Sequence, residues 1–260
     1  MDKENRSKIN QLLSSNPSGI VFTSSWLVEQ GYSLDLQKRY KKSHWFESIG
    51  SGAMIRTDDN VEYEGALYAL QNHLNSNFHP GGRTALAMLG KTHYLELGTT
   101  KVFLFALAKD QLPTWFKQYE WRLKFSVHKT NFLPADLGLV DFEIKDFKIK
   151  ISGQVRAILE CFYLTPKEHS FLECHELMEG LNNLRPKSVQ ELLEHCSSIK
   201  VKRLFLYFAE KAGHSWFSHL KLEDIDLGKG KRSLVKNGVF IPAYQITVPR
   251  ELEEYDQAGI

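Results

Sequence analysis

Between Gly19 and Arg56 the residues follow an order that admits few folds. An apolar run, Gly19-Ile20-Val21-Phe22, leads into a short helical segment from Ser24 to Gln30 and a turn at Gly31. A basic helical segment from Ser33 to Lys42 follows, and then two runs rich in aromatic and aliphatic residues flank Gly50-Ser51-Gly52. Strand, helix, tight turn, helix and glycine-tipped hairpin is the layout of a winged helix-turn-helix. In that arrangement the second helix enters a DNA major groove and the hairpin forms the wing.

Local chemistry agrees with this layout. Ser24 and Ser33 stand where a side-chain oxygen caps a helix N-terminus, and Gly31 suits the left-handed turn that ends the first helix. Leu36 and Tyr40 are four apart and face a core, which leaves Ser33, Gln37, Lys38 and Lys41 on a face that needs none. From Leu36 to Phe46 there are four Lys/Arg residues and no acid, so positive charge is concentrated where phosphate would lie. A charged helix face is usually only solvated. The glycine-tipped strand pair that follows is what favours nucleic acid. Lys38, Arg39, Lys41 and Lys42 are therefore the predicted phosphate contacts, Ser33 and Gln37 the base-edge contacts, and Ser51 and Arg56 the wing contacts.

The chain has 260 residues and a formal net charge of only +2, so a field over the whole protein cannot drive DNA binding and local patches must. Three widely spaced cysteines, Cys161, Cys174 and Cys196, fit a reduced protein better than a disulfide framework. The charged N-terminal residues do not read as an export signal, and no apolar run is long enough to span a bilayer, so a cytoplasmic location is expected.

Along the chain, Asn5 to Leu13 reads as a first helix with Ile9, Leu12 and Leu13 inward. The connector Thr57-Asp58-Asp59-Asn60 then divides a winged domain, residues 1–60, from a larger mixed α/β domain, residues 61–260, giving an α+β protein. Helices are expected at Glu62 to Leu74, Arg83 to Leu89 and Pro113 to Tyr119, and strands at Tyr94 to Leu97, Lys101 to Phe105 and Arg122 to Val127. From Phe142 to Ile151 the alternation changes phase, which calls for a bulge or tight turn near Lys145-Asp146. A helical cluster follows, with apolar stripes at Val155, Ile158, Leu159 and Phe162 and at Val201, Leu204, Phe205 and Phe208. Ser188 and Glu191 read as a capping box between them, and the chain closes with strands near Val239 and Ile246.

Catalytic signals are weak. Gly81-Gly82 lacks the Gly-Lys-Ser/Thr of a phosphate-binding loop and reads as a tight turn into a packed helix. Asp136, Glu143 and Lys145 carry the letters of a metal-dependent nuclease, but alternating charges on a half-exposed strand give the same letters. His169, Cys174, His175, His195 and Cys196 include no pair at zinc-ligand spacing, so neither a metal nor a cofactor is expected. From Lys200 to Lys236 there are nine Lys/Arg against four acids, including Gly228-Lys229-Gly230-Lys231-Arg232. On charge alone, Lys200, Lys202, Arg203, Lys229, Lys231 and Arg232 are candidate contacts to an anion or an acidic partner.

The segments Tyr40 to Ala53, Gly81-Gly82-Arg83-Thr84-Ala85-Leu86, Arg156-Ala157-Ile158-Leu159-Glu160 and Lys200 to Arg232 together resemble the AbiEi antitoxins of abortive-infection systems. The resemblance runs over nearly the whole chain. It implies a non-enzymatic, DNA-binding autorepressor acting at inverted repeats in its own promoter. It also implies a C-terminal domain that counteracts a nucleotidyltransferase-type toxin, AbiEii, without necessarily holding it in a stable complex. In that family a glycine often precedes the aromatic that opens the wing, where this chain has His44. A histidine there must accept the helix-ending conformation or the helix must end differently. Two other readings of the residues are a stand-alone winged-helix regulator whose C-terminal domain senses a ligand or partner, and the nuclease.

Overall fold

A computed structural model describes residues 3–91 and 101–254 of the chain. The first elements are α1 (Lys3–Ser14), β1 (Phe22–Thr23), α2 (Ser24–Glu29), α3 (Leu34–Lys42), β2 (Phe46–Gly50), β3 (Ala53–Arg56), α4 (Tyr63–Asn72), β4 (His79–Pro80) and α5 (Gly82–Met88). Then come β5 (Lys101–Ala106), α6 (Thr114–Gln118), β6 (Lys124–Lys129), β7 (Leu139–Ile144) and β8 (Phe147–Ser152). The remainder is α7 (Gln154–Leu164), α8 (Phe171–Glu179), α9 (Pro186–His195), α10 (Ile199–Lys211), β9 (Arg232–Ser233), β10 (Val239–Ile241), β11 (Ile246–Val248) and α11 (Arg250–Glu254). The protein is α+β. The strand expected at Tyr94 to Leu97 lies outside the described residues.

These elements form two compact units, interleaved in sequence: residues 3–79, 101–129 and 141–150 in one, and 80–91, 130–140 and 151–254 in the other. The first contains the winged helix. Its sheet has the order β1-β3-β2, with Phe22 opposite Met54 and Phe46 opposite Arg56. Ile9 and Leu12 of α1, Leu27 of α2, Leu36 and Tyr40 of α3, and Phe22, Phe46 and Met54 of the sheet are all buried. Phe22 meets Phe46 edge to face at 5.2 Å, an arrangement aromatic quadrupoles favour.

The winged helix shares its compact unit with later elements, and residue 60 falls inside that unit. Helix α4 crosses the chain so closely that a Cβ on Gly65 would lie 1.9 Å from the Gly19 carbonyl oxygen, a position only glycine can occupy. At the hairpin, Gly50 has φ +139°, and a Cβ there would meet Trp115 of α6 at 2.9 Å. Strands β5 and β6 pair in parallel from Lys101 opposite Lys124 to Ala106 opposite Lys129. The phase change after Ile144 is a tight turn with Lys145 at φ 48°, which leaves Phe147, Ile149 and Ile151 buried on β8.

The second unit is built around α7, buried along most of its length and packed by α5, α8, α9 and α10. Phe162 stacks on Phe208 at 5.2 Å. Helix α9 opens at Pro186, two residues before the expected capping box. Proline at the first helical position lacks only an N–H that would be unpaired there, so it starts the helix and leaves Ser188 inside the first turn. A small sheet in the order β10-β11-β9 closes the unit.

Candidate nucleic-acid interface

Helix α3 is fixed at both ends. Ser33 Oγ accepts from the Leu36 amide at 3.3 Å, so Ser33 is the N-cap that the sequence predicts. At the other end the His44 amide donates to the Lys41 carbonyl at 3.1 Å and the Trp45 amide to the Tyr40 carbonyl at 3.0 Å. This is a Schellman closure with His44 in the left-handed region at φ 56°. The histidine therefore accepts the conformation that glycine would adopt without strain. Helix α2 ends the same way around Gly31, where Gly31 donates to Val28 and Tyr32 to Leu27. Its N-cap is Thr23 and not Ser24, because β1 runs directly into the helix.

The inward face of α3 carries Leu36, Gln37 and Tyr40. Gln37 is thus corrected from a base contact to a scaffold residue: it is 2% exposed, and its Nε2 donates to the Tyr32 carbonyl at 2.8 Å and the Ser24 carbonyl at 3.2 Å. A buried amide held by the first residue of α2 and by the turn before α3 cannot also reach a base. With about 100° between successive residues, Asp35, Lys38 and Lys42 lie opposite the buried face; Leu34 and Lys41 flank them on one side and Arg39 on the other. All six are exposed. Lys38 Nζ sits 3.5 Å from Asp35 Oδ1, with both side chains mostly in solvent, a pairing too weak to withdraw the lysine from a stronger anion. Asp35 and Leu34 are not among the contacts predicted from sequence. Placing Gln37 inward in the helical wheel would have exposed both.

Ser51 is exposed at the tip of the wing. Arg56 is not a wing contact. Its Nη2 donates to the Leu13 carbonyl at 3.0 Å and the Asn16 carbonyl at 2.6 Å, closing the C-terminal end of α1, and its guanidinium lies 5.7 Å from the Phe22 ring centre. Burial lowers its pKa, while Asp59 acts in the opposite sense. The reason for its inward position is the row of unpaired carbonyls that every helix C-terminus presents. Behind α2, the indole of Trp26 stacks on the His73 ring at 4.0 Å, and burial pushes that imidazole down to about 4, so it is neutral at neutral pH.

The second basic region divides in the same way. Lys200 Nζ donates to the carbonyls of Tyr163 and Thr165, at 2.7 and 2.8 Å, and Lys202 Nζ to that of Asp226 at 3.0 Å. Arg203, 2% exposed, donates to the carbonyls of Leu227, Gly228, Gly230 and Gln245 at 2.7–3.1 Å. Lys202 and Arg203 hold the segment from Asp226 to Gly230, Lys200 holds the end of α7, and all three are corrected from partner contacts to scaffold. Lys229, Lys231 and Arg232 remain exposed, with Lys231 over the Phe240 ring at 4.8 Å.

The residues considered for metal chemistry have other roles. Glu143 pairs with Lys148 at 2.8 Å and Asp141 with Lys150 at 3.2 Å across the exposed face of the β7–β8 hairpin, and the lysine holds the Glu143 carboxyl below its ordinary range. Among the described residues no three His, Cys, Asp or Glu side chains form a group able to hold a metal ion. The Gly81-Gly82-Arg83 and Arg156-Glu160 motifs interlock: the Gly82 amide donates to Glu160 Oε2 at 2.8 Å, Arg156 Nε to Glu160 Oε1 at 3.0 Å, and Arg83 pairs with Glu173 at 3.0 Å. They join α5 to α7 and α8 and are architectural, as a tight turn into a packed helix requires.

A winged helix whose α3 carries an exposed basic face is the fold of a transcriptional-regulator class of protein. Family models agree over almost the whole chain. Residues 5–97 match the transcriptional regulator AbiEi antitoxin N-terminal domain, and residues 99–249 match the transcriptional regulator, AbiEi antitoxin, of type IV toxin–antitoxin systems. The chain belongs to the AbiEi antitoxin family. No curated protein matches it. Among solved structures, the RV2827C protein from Mycobacterium tuberculosis is similar in fold, with a TM-score of 0.61 at 14% identity over 99% of this chain and 96% of that one. No helix among the described residues is long and apolar enough to cross a membrane.

Proposed function

We propose that the chain is an autorepressor that reads inverted repeats in the promoter of its own operon through α3 and the wing. The part of the chain from residue 61 to 260 counteracts a nucleotidyltransferase-type toxin. The DNA-reading elements are assigned to residues 1–60, with Lys38, Arg39, Lys41 and Lys42 on phosphate, Ser33 at the groove edge and Ser51 at the wing tip. The remainder of the chain carries the antitoxin role, and Lys229, Lys231 and Arg232 are its exposed cationic contacts.

The observation that carries this reading is the exposed face of α3, where four cations stand on the helix that a winged fold presents to the major groove. A titration of the full chain against its own upstream DNA at several salt concentrations tests the first half. Tight binding that prefers the promoter over scrambled DNA and weakens steeply with salt is expected. Equal, weak binding to both DNAs overturns it. Co-expression with an adjacent nucleotidyltransferase reading frame tests the second half: growth should be restored by the wild-type chain and by a variant that no longer binds the promoter.

A further inference from the structure

We infer that Leu34 is a specificity-determining residue that reads the C5-methyl group of thymine in the major groove, an inference that rests on the DNA-reading role of α3. Leu34 is 58% exposed, the most exposed large apolar side chain among the described residues. It is the first residue of α3, beside the Ser33 cap and one helical turn before Lys38. Side chains at the N-terminal end of a reading helix are those that reach base edges, whereas cations further along meet phosphate. With Gln37 turned inward, the exposed residues of that first turn are Leu34 and Asp35.

Their chemistries divide the groove between them. An isobutyl group has no hydrogen bond to offer, and the apolar feature that a major groove presents is the thymine methyl. Leu34 flanks the Asp35, Lys38 and Lys42 row on the same side as Lys41, so it sits at the border between the base-reading and phosphate-holding parts of the face. A leucine there disfavours cytosine, whose edge presents a donor that would lose its water without a partner.

The test compares the full chain on its upstream duplex with the same duplex carrying deoxyuridine in place of thymidine, which removes only the methyl groups. Wild type should bind the uracil duplex about fourfold more weakly for each methyl that Leu34 covers. Leu34→Ala should bind both duplexes alike, with the affinity that wild type shows for the uracil duplex. An unchanged thymine-to-uracil ratio in Leu34→Ala, or in Leu34→Gln, overturns the assignment while leaving the repressor reading intact. Failure of the wild-type chain to prefer its promoter over scrambled DNA overturns the repressor reading and this inference with it. Because Leu34 is exposed, both variants keep the fold, and circular dichroism of each checks it.

Discussion

Helix α3 and the start of α10 look alike as strings of cations and do opposite things. In α3, Lys38, Arg39, Lys41 and Lys42 project into solvent, with buried residues confined to Leu36, Gln37 and Tyr40. In α10, Lys202 and Arg203 are themselves buried, and with Lys200 they donate to seven backbone carbonyls of neighbouring segments. The difference lies in what surrounds each helix. Where loops and helix ends turn several carbonyls toward it, a long cation folds back and satisfies them; where only water faces the helix, the cation stays available to an external anion. A count of positive charges locates neither function until the carbonyls nearby have been accounted for.

The sharpest way to break this comparison is Arg203→Met, which keeps length and removes the donors. Four carbonyls lose a charged partner, and we expect a loss of about 3 kcal/mol or more in urea-induced unfolding. A loss within about 0.5 kcal/mol would return Arg203 to the list of surface cations. Next in size is Gln37→Ala. It should lower stability by about 2 kcal/mol, because the buried bonds to the Tyr32 and Ser24 carbonyls are lost, while the promoter preference of the folded fraction stays the same. A stable variant with relaxed base preference would put Gln37 back in the groove.

The double change Lys38→Ala, Lys41→Ala inverts that pattern. Stability should stay within about 0.5 kcal/mol, while affinity falls about tenfold and the slope of log K against log salt flattens by about 1.8. Unchanged DNA binding would make α3 as silent as α10. The smallest effect is expected from His44→Gly. Relieving the left-handed strain should raise stability by about 1 kcal/mol with DNA affinity unchanged, read as a shift in the urea midpoint.

Much of this is legible in the residues because it depends on local rules. Ser33, Gly31 and the Gly50-Ser51-Gly52 turn fix helix starts, stops and hairpins through φ/ψ and capping, and the phase change at Lys145 follows from the two-residue period of a strand. The Gly81-Gly82 turn is legible because its spacing fails the requirements of a phosphate loop. All but one of the errors share one cause. Ser24, Gln37, Arg56, Lys200, Lys202 and Arg203 are each misplaced by residue type and local position, and each is decided by a partner or a neighbouring element instead; Ser188 differs, displaced by the local effect of Pro186.

What the sequence determined by itself was the α+β class, the winged helix and the family, since these rest on patterns carried by consecutive residues. Tertiary structure decided which polar side chains are available. Gln37 reaches back 13 residues to Ser24, Arg56 reaches back 43 to Leu13, and Arg203 reaches forward 42 to Gln245, the residue before β11. Separations of that length carry no periodic signal in the chain. The physical reason is that a buried carbonyl must find a donor from whichever segment packing brings to it, and packing is a property of the whole fold.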